Sequence, residues 1–440
     1  MMVNAVAKAV AMNGVVTLGG YAIRREVTVV ALNGEMFFQL RSHRMTFGFI
    51  PRALVGALAI GLIAGSLPAR ADQPPIKIGV VLSYSGGDNV VLGKMADAAF
   101  AAYMKEHGDT IAGRKVVLIK RDDTGIAPET AKRLAQELIV QEHVDMLIGA
   151  SYTPNAIAIG AVSTQAKVPY FIVNAATAGI MAKNPYTSRW GFTTGQIAQP
   201  FAKWAFATGS RTAYVVFQDY GPGIDAGTTF EKNFVASGGR VLGESRIPVG
   251  SQDFTAYIQK VKDAKPDVMF LFINASGGGI AFIKAMRSAG LGTTKFLATG
   301  DLVDEALLPT EGDGALGITT TYTYSAMHDS ALNKQFIRDF QAAYGSKQLP
   351  DFVAVQSYDA LAAVYKAVAA QKGQIDPDKT MEIVKTLKFE SPRGPIQIDP
   401  ATRDLVQTVY FRRVERRNGV LGNYEFTQYR MASDPIESGQ

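Results

Sequence analysis

Three hydroxyl side chains follow one another at Ser151, Tyr152 and Thr153, where a buried strand pattern, DMLIG, runs into a helix that opens with Pro154. Proline is at home in the first turn of a helix, where a missing N–H costs nothing. Thr153 then falls at the N-cap. Hydroxyls and unpaired N–H groups at a helix N-terminus suit an anion, and in particular a carboxylate.

Other loops that follow apolar runs carry their own candidates. The first, SYSGGDNVVLG, offers Tyr84 and Leu92 beside a flexible Gly86-Gly87 pair. The second, RDDTGIAP, places Asp122 next to Asp123, a pair that reads as a turn and a cap rather than a catalytic dyad. The fourth ends a strand in Asn174, Ala175, Ala176 and Thr177, where small residues leave room beside a hydroxyl. FQDYGPG puts Tyr220 on a glycine-rich turn, as a ligand lid would need. FINASGGG supplies Asn274 and Ala275, and ATGDLVDE supplies Asp301 and Asp304.

Several chemistries are excluded. The 440 residues contain no cysteine, so there is no disulfide, thiolate metal site or cysteine nucleophile. The four histidines (His43, His107, His143 and His328) have no metal-ligand spacing. No G-x-S-x-G stands at a strand–helix turn, and no glycine pattern marks a dinucleotide or P-loop site. An enzyme is therefore not expected, and neither a cofactor nor a metal. The formal charge is +6. Residues 1–71 hold seven Lys/Arg and two Asp/Glu, which leaves a nearly neutral remainder with no nucleic-acid footprint.

The elements that position these loops alternate apolar strands with amphipathic helices from Ile76 onward. IKIGVVL, KVVLIK, DMLIG and VPYFIV form one run. TAYVVF, GRVLGESRI, PDVMFLFI and TKFLAT form another, parted near TSRWGFTTGQIA. Such alternation predicts an α/β protein of two doubly wound lobes, with ligands at the carboxyl ends of the strands. Asp253 is the expected N-cap of the helix that follows it. Two helices are expected at about 330–344 and 352–371, and RRVERR, from Arg412 to Arg417, reads as part of a strand with a solvated face.

The leader sets the compartment. Arg52 precedes an uncharged run from Ala53 to Leu67, then an A-x-A site at Ala69–Ala71. This is a signal-peptide pattern, too short and glycine-rich for a comfortable membrane span. Met45 is a plausible start, so residues 45–71 are the expected signal peptide, cleaved near Ala71. Residues 1–44 are set aside as an upstream extension or disordered tail. The mature protein is expected to be exported and soluble.

Taken in order, IKIGVVLSYSG, DDTGIAPETA, LIGASYTPNA, VPYFIVNAATA, RWGFTTG, QDYGPG and SQDFTAYIQKVK resemble the periplasmic solute-binding proteins of branched-chain amino acid ABC transporters. The resemblance covers about residues 76–430. It implies a Venus-flytrap fold, with lobe 1 at 76–193 plus 322–394 and lobe 2 at 194–321 plus 395–430. Three hinge crossings are implied, near Phe192–Thr194, Thr319–Tyr322 and Arg393–Ile396. It further implies a monomer that delivers a small-molecule ligand to an inner-membrane permease; a periplasmic sensor of amino acids or amides is the alternative. By the same resemblance, Ser151 or Thr153 holds the ligand carboxylate and Tyr152 lines the wall. The Ala175 carbonyl and the Thr177 hydroxyl and amide are contacts beside Ala176, and Tyr220 closes the site. Two aromatic positions of the family become Leu92 and Ala275, and the acid that takes an ammonium group has its nearest match at Asp301. The carboxylate half of the site is kept and the other half rebuilt. The expected ligand is a small carboxylate, either like a branched-chain amino acid or an aromatic acid bulkier than leucine.

Overall fold

The computed structural model describes residues 9–18, 21–32, 35–40, 73–86, 91–275, 277–291, 296–345 and 347–437. The chain divides into two units, Met1–Ala71 and Asp72–Gln440. The first holds an antiparallel meander of β1 (Ala9–Leu18), β2 (Tyr21–Leu32) and β3 (Glu35–Leu40). Regular strands thus stand in a segment set aside from the sequence. Gly19-Gly20 and Asn33-Gly34 separate them, both strong two-residue hairpin signals. The expected signal peptide lies outside the described residues.

In the second unit, β4 (Ile76–Leu82) pairs in parallel with β6 (Arg114–Asp122) and β7 (Met146–Gly149). β8 (Tyr170–Ile172) and β9 (Thr187–Arg189) extend this sheet in parallel, and β5 (Thr110–Ile111) closes its far edge. Between the strands run α1 (Val91–His107), α2 (Pro128–Val140) and α3 (Thr153–Ala166). The central strands β4, β7 and β8 are buried on both faces, as the interior of a parallel sheet requires.

After α4 (Thr194–Ala207) the same device repeats. β10 (Thr212–Gln218), β11 (Arg240–Ile247), β12 (Val268–Phe272), β13 (Phe296–Thr299) and β14 (Thr319–Tyr322) form a second parallel set. Helices α5 (Gly221–Ala236), α6 (Thr255–Ala264) and α7 (Gly277–Ser288) link its strands, and the short α8 (Leu308–Glu311) precedes β14. The α6 N-cap is Phe254; Asp253, one residue earlier than expected for a cap, accepts the Thr255 N–H at 2.9 Å.

The chain then returns to the first lobe through α9 (Ala331–Tyr344) and α10 (Phe352–Ala370), both packed on α1. After α11 (Pro377–Val384) it forms β15 (Lys388–Ser391), β16 (Gly394–Ile398), β17 (Leu405–Arg417) and β18 (Val420–Ala432), all antiparallel and all joined to the second sheet. A boundary drawn near residue 394 therefore falls inside a hairpin. That hairpin bonds to the second sheet, while Phe389 stacks on Trp190 of the first lobe at 5.9 Å. Beside it, fully buried Arg393 pairs with buried Asp359 at 2.8 Å and donates to Gln407 Oε1 and the Trp190 carbonyl, tying α10, β17 and the end of β9 together. No helix among the described residues is long and apolar enough to cross a membrane.

Candidate ligand-binding site

The hydroxyl corner forms where β7 ends. Tyr152, extended at φ −130° and ψ 147°, is the N-cap of α3, so Thr153 is the first helical residue rather than the cap. Its side chain points elsewhere: Thr153 Oγ1 lies 3.0 Å from Thr177 Oγ1 on the next strand-end loop. Ser151 is braced, since its Oγ accepts the Ser83 N–H and its carbonyl accepts Asn174 Nδ2 at 2.7 Å. The unpaired N–H groups of the first α3 turn add positive potential. A Cβ on Gly149 would collide with the Val81 carbonyl, so glycine is required for β7 to end here.

The paired aspartates are structural. Asp123 accepts from Ser83 Oγ at 2.6 Å and Asn155 Nδ2 at 2.8 Å, and Asp122 accepts from the N–H groups of Tyr84 and Thr124. Asn155 thus anchors the second loop to α3. Tyr84 turns away, its hydroxyl donating to Asp97 at 2.9 Å.

The facing wall comes from the second lobe. Tyr220 is the N-cap of α5, half-buried against Phe272, rather than an exposed lid. The Asn274 N–H donates to Gln218 Oε1, which holds the loop after β12. Asp301 sits in a 3-10 turn (Gly300–Val303) and is only 6% exposed. Its Oδ1 accepts the Tyr322 hydroxyl at 3.1 Å. Burial pushes the carboxyl up to about 6; the neighbouring Thr299, the Tyr322 hydroxyl and the Arg412 charge hold it down.

Between these walls lies a pocket with about 430 Å³ of empty space, open solvent at its mouth included. Of the residues singled out in the sequence, Leu92, Ser151, Tyr152, Thr153, Ala175, Ala176, Tyr220, Asn274, Ala275 and Asp301 line it. Thr177 stands behind Thr153, and Tyr84 is not part of the lining. The Ala175 carbonyl, implied as a ligand contact, accepts from buried Arg189 Nη1 at 2.9 Å. Asn174, of the same loop, lines it too, and five lining residues were not singled out as ligand contacts: Phe192, Thr194, Pro222, Phe272 and Phe352. Three are phenylalanines, so the aromatic surface missing at Leu92 and Ala275 is supplied from other elements. Phe192 and Phe352 pack edge-on at 6.4 Å between centroids, with Tyr322 against both. An outer hollow shares Tyr152 and Asn274 and continues between the lobes past Val249 and Gln252.

The lobes also meet directly beside the pocket. The Ala178 N–H donates to Asp225 Oδ2 of α5 at 2.8 Å, and the bare Cα of Gly221 faces the Thr177 side chain, with no room for a Cβ.

The model of the periplasmic binding protein family matches residues 75–419. The chain belongs to that family. Its members bind substrates rather than convert them, in line with the absence of catalytic motifs. This periplasmic binding protein is 37% identical over 382 residues to Leu/Ile/Val-binding protein homolog 6 of Brucella suis biovar 1 (strain 1330), which covers 86% of this chain and 97% of that one. Two solved structures share more. The solute-binding protein of an ABC transporter from Rhodopseudomonas palustris BisB5, in complex with 3,4-dihydroxybenzoic acid, is 40% identical with a TM-score of 0.78, covering 82% of this chain and 99% of that one. Its counterpart from Rhodopseudomonas palustris HaA2, in complex with p-hydroxybenzoic acid, is 39% identical with a TM-score of 0.80, covering 84% and 100%.

Proposed function

We propose that this periplasmic binding protein captures a small aromatic carboxylate between its lobes and delivers it to an inner-membrane ABC permease. One observation carries the reading. Thr153, its hydroxyl backed by that of Thr177, lines the pocket at the N-terminus of α3 together with Phe192, Phe272, Phe352 and Tyr220. The hydroxyls and the helix end suit a carboxylate; flat apolar walls suit a ring. The related proteins that hold hydroxybenzoates support the same class.

Closure follows from the geometry of the lining. Because both lobes contribute, a ligand that touches both stabilises the closed arrangement by its differential affinity, the usual basis of hinge closure in this family. The protein acts as an exported monomer after cleavage near Ala71. A branched-chain amino acid is the second reading, supported by the Brucella relative's name and by Asp301 in the wall. A thermal-shift screen of aromatic acids, amino acids, dicarboxylates and amides separates them, since a ligand at 100 times its Kd adds about 2.7 kcal/mol. Stabilisation by aromatic acids supports the reading; stabilisation by leucine, isoleucine and valine alone rejects it.

A further inference from the structure

We propose that the lobes close on a proton as well as on a ligand: Asp304 of the second lobe and Asp351 of the first form a buried carboxyl pair behind the pocket that takes up a proton when the lobes come together. The inference goes beyond the reading of the ligand, since it holds for any solute that closes the cleft.

Asp304 and Glu305 follow the 3-10 turn that puts Asp301 in the pocket wall. Asp351 caps α10, its Oδ1 accepting the Ala354 N–H at 2.7 Å, and the next residue, Phe352, lines the same pocket from the first lobe. All three carboxyls are buried, Asp304 at 1% exposure, Glu305 at 3% and Asp351 at 0%. Arg412 is the cation of this cluster. Of the three buried arginines among the described residues, Arg189 pairs with Asp404 and Arg393 with Asp359. Arg412 lies 3.7 Å from Glu305, whose Oε1 also accepts the Ala326 N–H and Asn423 Nδ2. Glu305 is thus the acid best held in its ionised form. Arg412 moderates Asp301 and Asp304 as well, so one positive charge stands against four carboxyls.

Carboxylates taken out of water without a cation of their own do not all stay charged. Burial, then the charge of Asp351, pushes Asp304 well above the usual carboxylate range. Burial, with the Glu305 charge, pushes Asp351 up to about 7, against the Ala354 N–H that holds it down. The other titratable groups that sense the pair, the hydroxyls of Tyr322, Tyr324 and Tyr344, are neutral in this range. The lobes are in contact beside the pocket, through Ala178 and Asp225. As they part, Asp304 moves with the second sheet and Asp351 with α10 and α1, water reaches both, and the proton leaves for solvent. The closed form therefore binds the proton more tightly. Ligand affinity is highest in acid and falls as pH rises towards about 7, by at most about tenfold per pH unit for one proton.

The test is calorimetric titration of the whole protein with 4-hydroxybenzoate and with leucine, at about pH 6.5 and about pH 8, in buffers of different ionisation enthalpy, which counts the protons taken up per ligand. The variants are Asp304→Asn and Asp351→Asn, because asparagine keeps the helix cap and the accepted N–H bonds while removing the charge. The expected result, for whichever ligand binds, is uptake of about one proton near the lower pH, with less uptake and a flatter pH profile in each variant. Heats that do not depend on the buffer overturn the proposal and leave the aromatic-acid reading standing. Uptake unchanged in both variants belongs to Asp301 in the wall and also overturns it. Leucine binding alone, with proton uptake, rejects the aromatic reading and supports the proton. If a variant fails to fold, the wild-type proton count decides. If neither ligand binds, small-angle scattering of the ligand-free protein reads the same equilibrium: a smaller radius of gyration in acid supports the proposal, and an unchanged radius overturns it.

Discussion

Thr153 Oγ1 and Thr177 Oγ1 lie 3.0 Å apart, joining the loops that follow β7 and β8 at the floor of the cleft. Each hydroxyl has a partner when the pocket is empty, so neither is left buried and unsatisfied before a ligand arrives. A carboxylate seated on the α3 N-terminus can take the Thr153 proton, with Thr177 holding that hydroxyl in place. Thr153→Val should weaken carboxylate binding roughly 10- to 100-fold, the value of one hydrogen bond to a charged group, and Thr177→Val should weaken it less. Calorimetric titration against a melting curve separates this loss from any loss of folding.

Gly221 limits closure. A side chain there meets Thr177 across the lobes. Gly221→Val should leave the lobes folded but keep them apart, with affinity lowered at least severalfold. Small-angle scattering at saturating ligand should then give a larger radius of gyration than wild type.

Asp359 and Arg393 form an ion pair with no exposed surface. Removing one partner leaves an uncompensated buried charge, which costs about 3–5 kcal/mol. Asp359→Ala should lower the urea midpoint by a corresponding amount without changing ligand specificity.

Glu311 gives the stability a pH dependence. Both its carboxylate oxygens are buried without partners, and burial pushes its pKa up to about 8 from 4.5. The folded state then holds a proton that the unfolded state has released, so stability falls as pH rises across that window. The contribution is fully present below about 4.5 and lost as pH rises through about 8. Glu311→Gln should flatten this slope, a difference on the order of a few kcal/mol in urea unfolding across the window.

Much of this architecture was legible in the residue pattern. Strand IKIGVVL spans Ile76–Leu82 as read, and the late helices fall at Ala331–Tyr344 and Phe352–Ala370. Parallel strands buried on both faces leave continuous apolar runs, and helices between them keep their own period. Strand-end loops are local in sequence, which is why Thr153, Tyr220 and Asp301 could be named. Phe192, Phe272 and Phe352 could not. They come from the first crossing, a strand end and the start of a returning helix, and look like core residues in any local window. Arg412 was hidden likewise: RRVERR lies on a strand with Arg413 exposed and Arg412 buried beneath Tyr322. Local order also misplaced Thr153 by one position, because the extended backbone of Tyr152 takes the cap and frees the threonine hydroxyl for Thr177.

The central claim is tested most directly by calorimetric titration of the purified protein with 4-hydroxybenzoate and, separately, leucine. The account predicts saturable one-to-one binding of 4-hydroxybenzoate, weakened in Thr153→Val, and no measurable heat from leucine. Tight leucine binding together with no response to 4-hydroxybenzoate would contradict it.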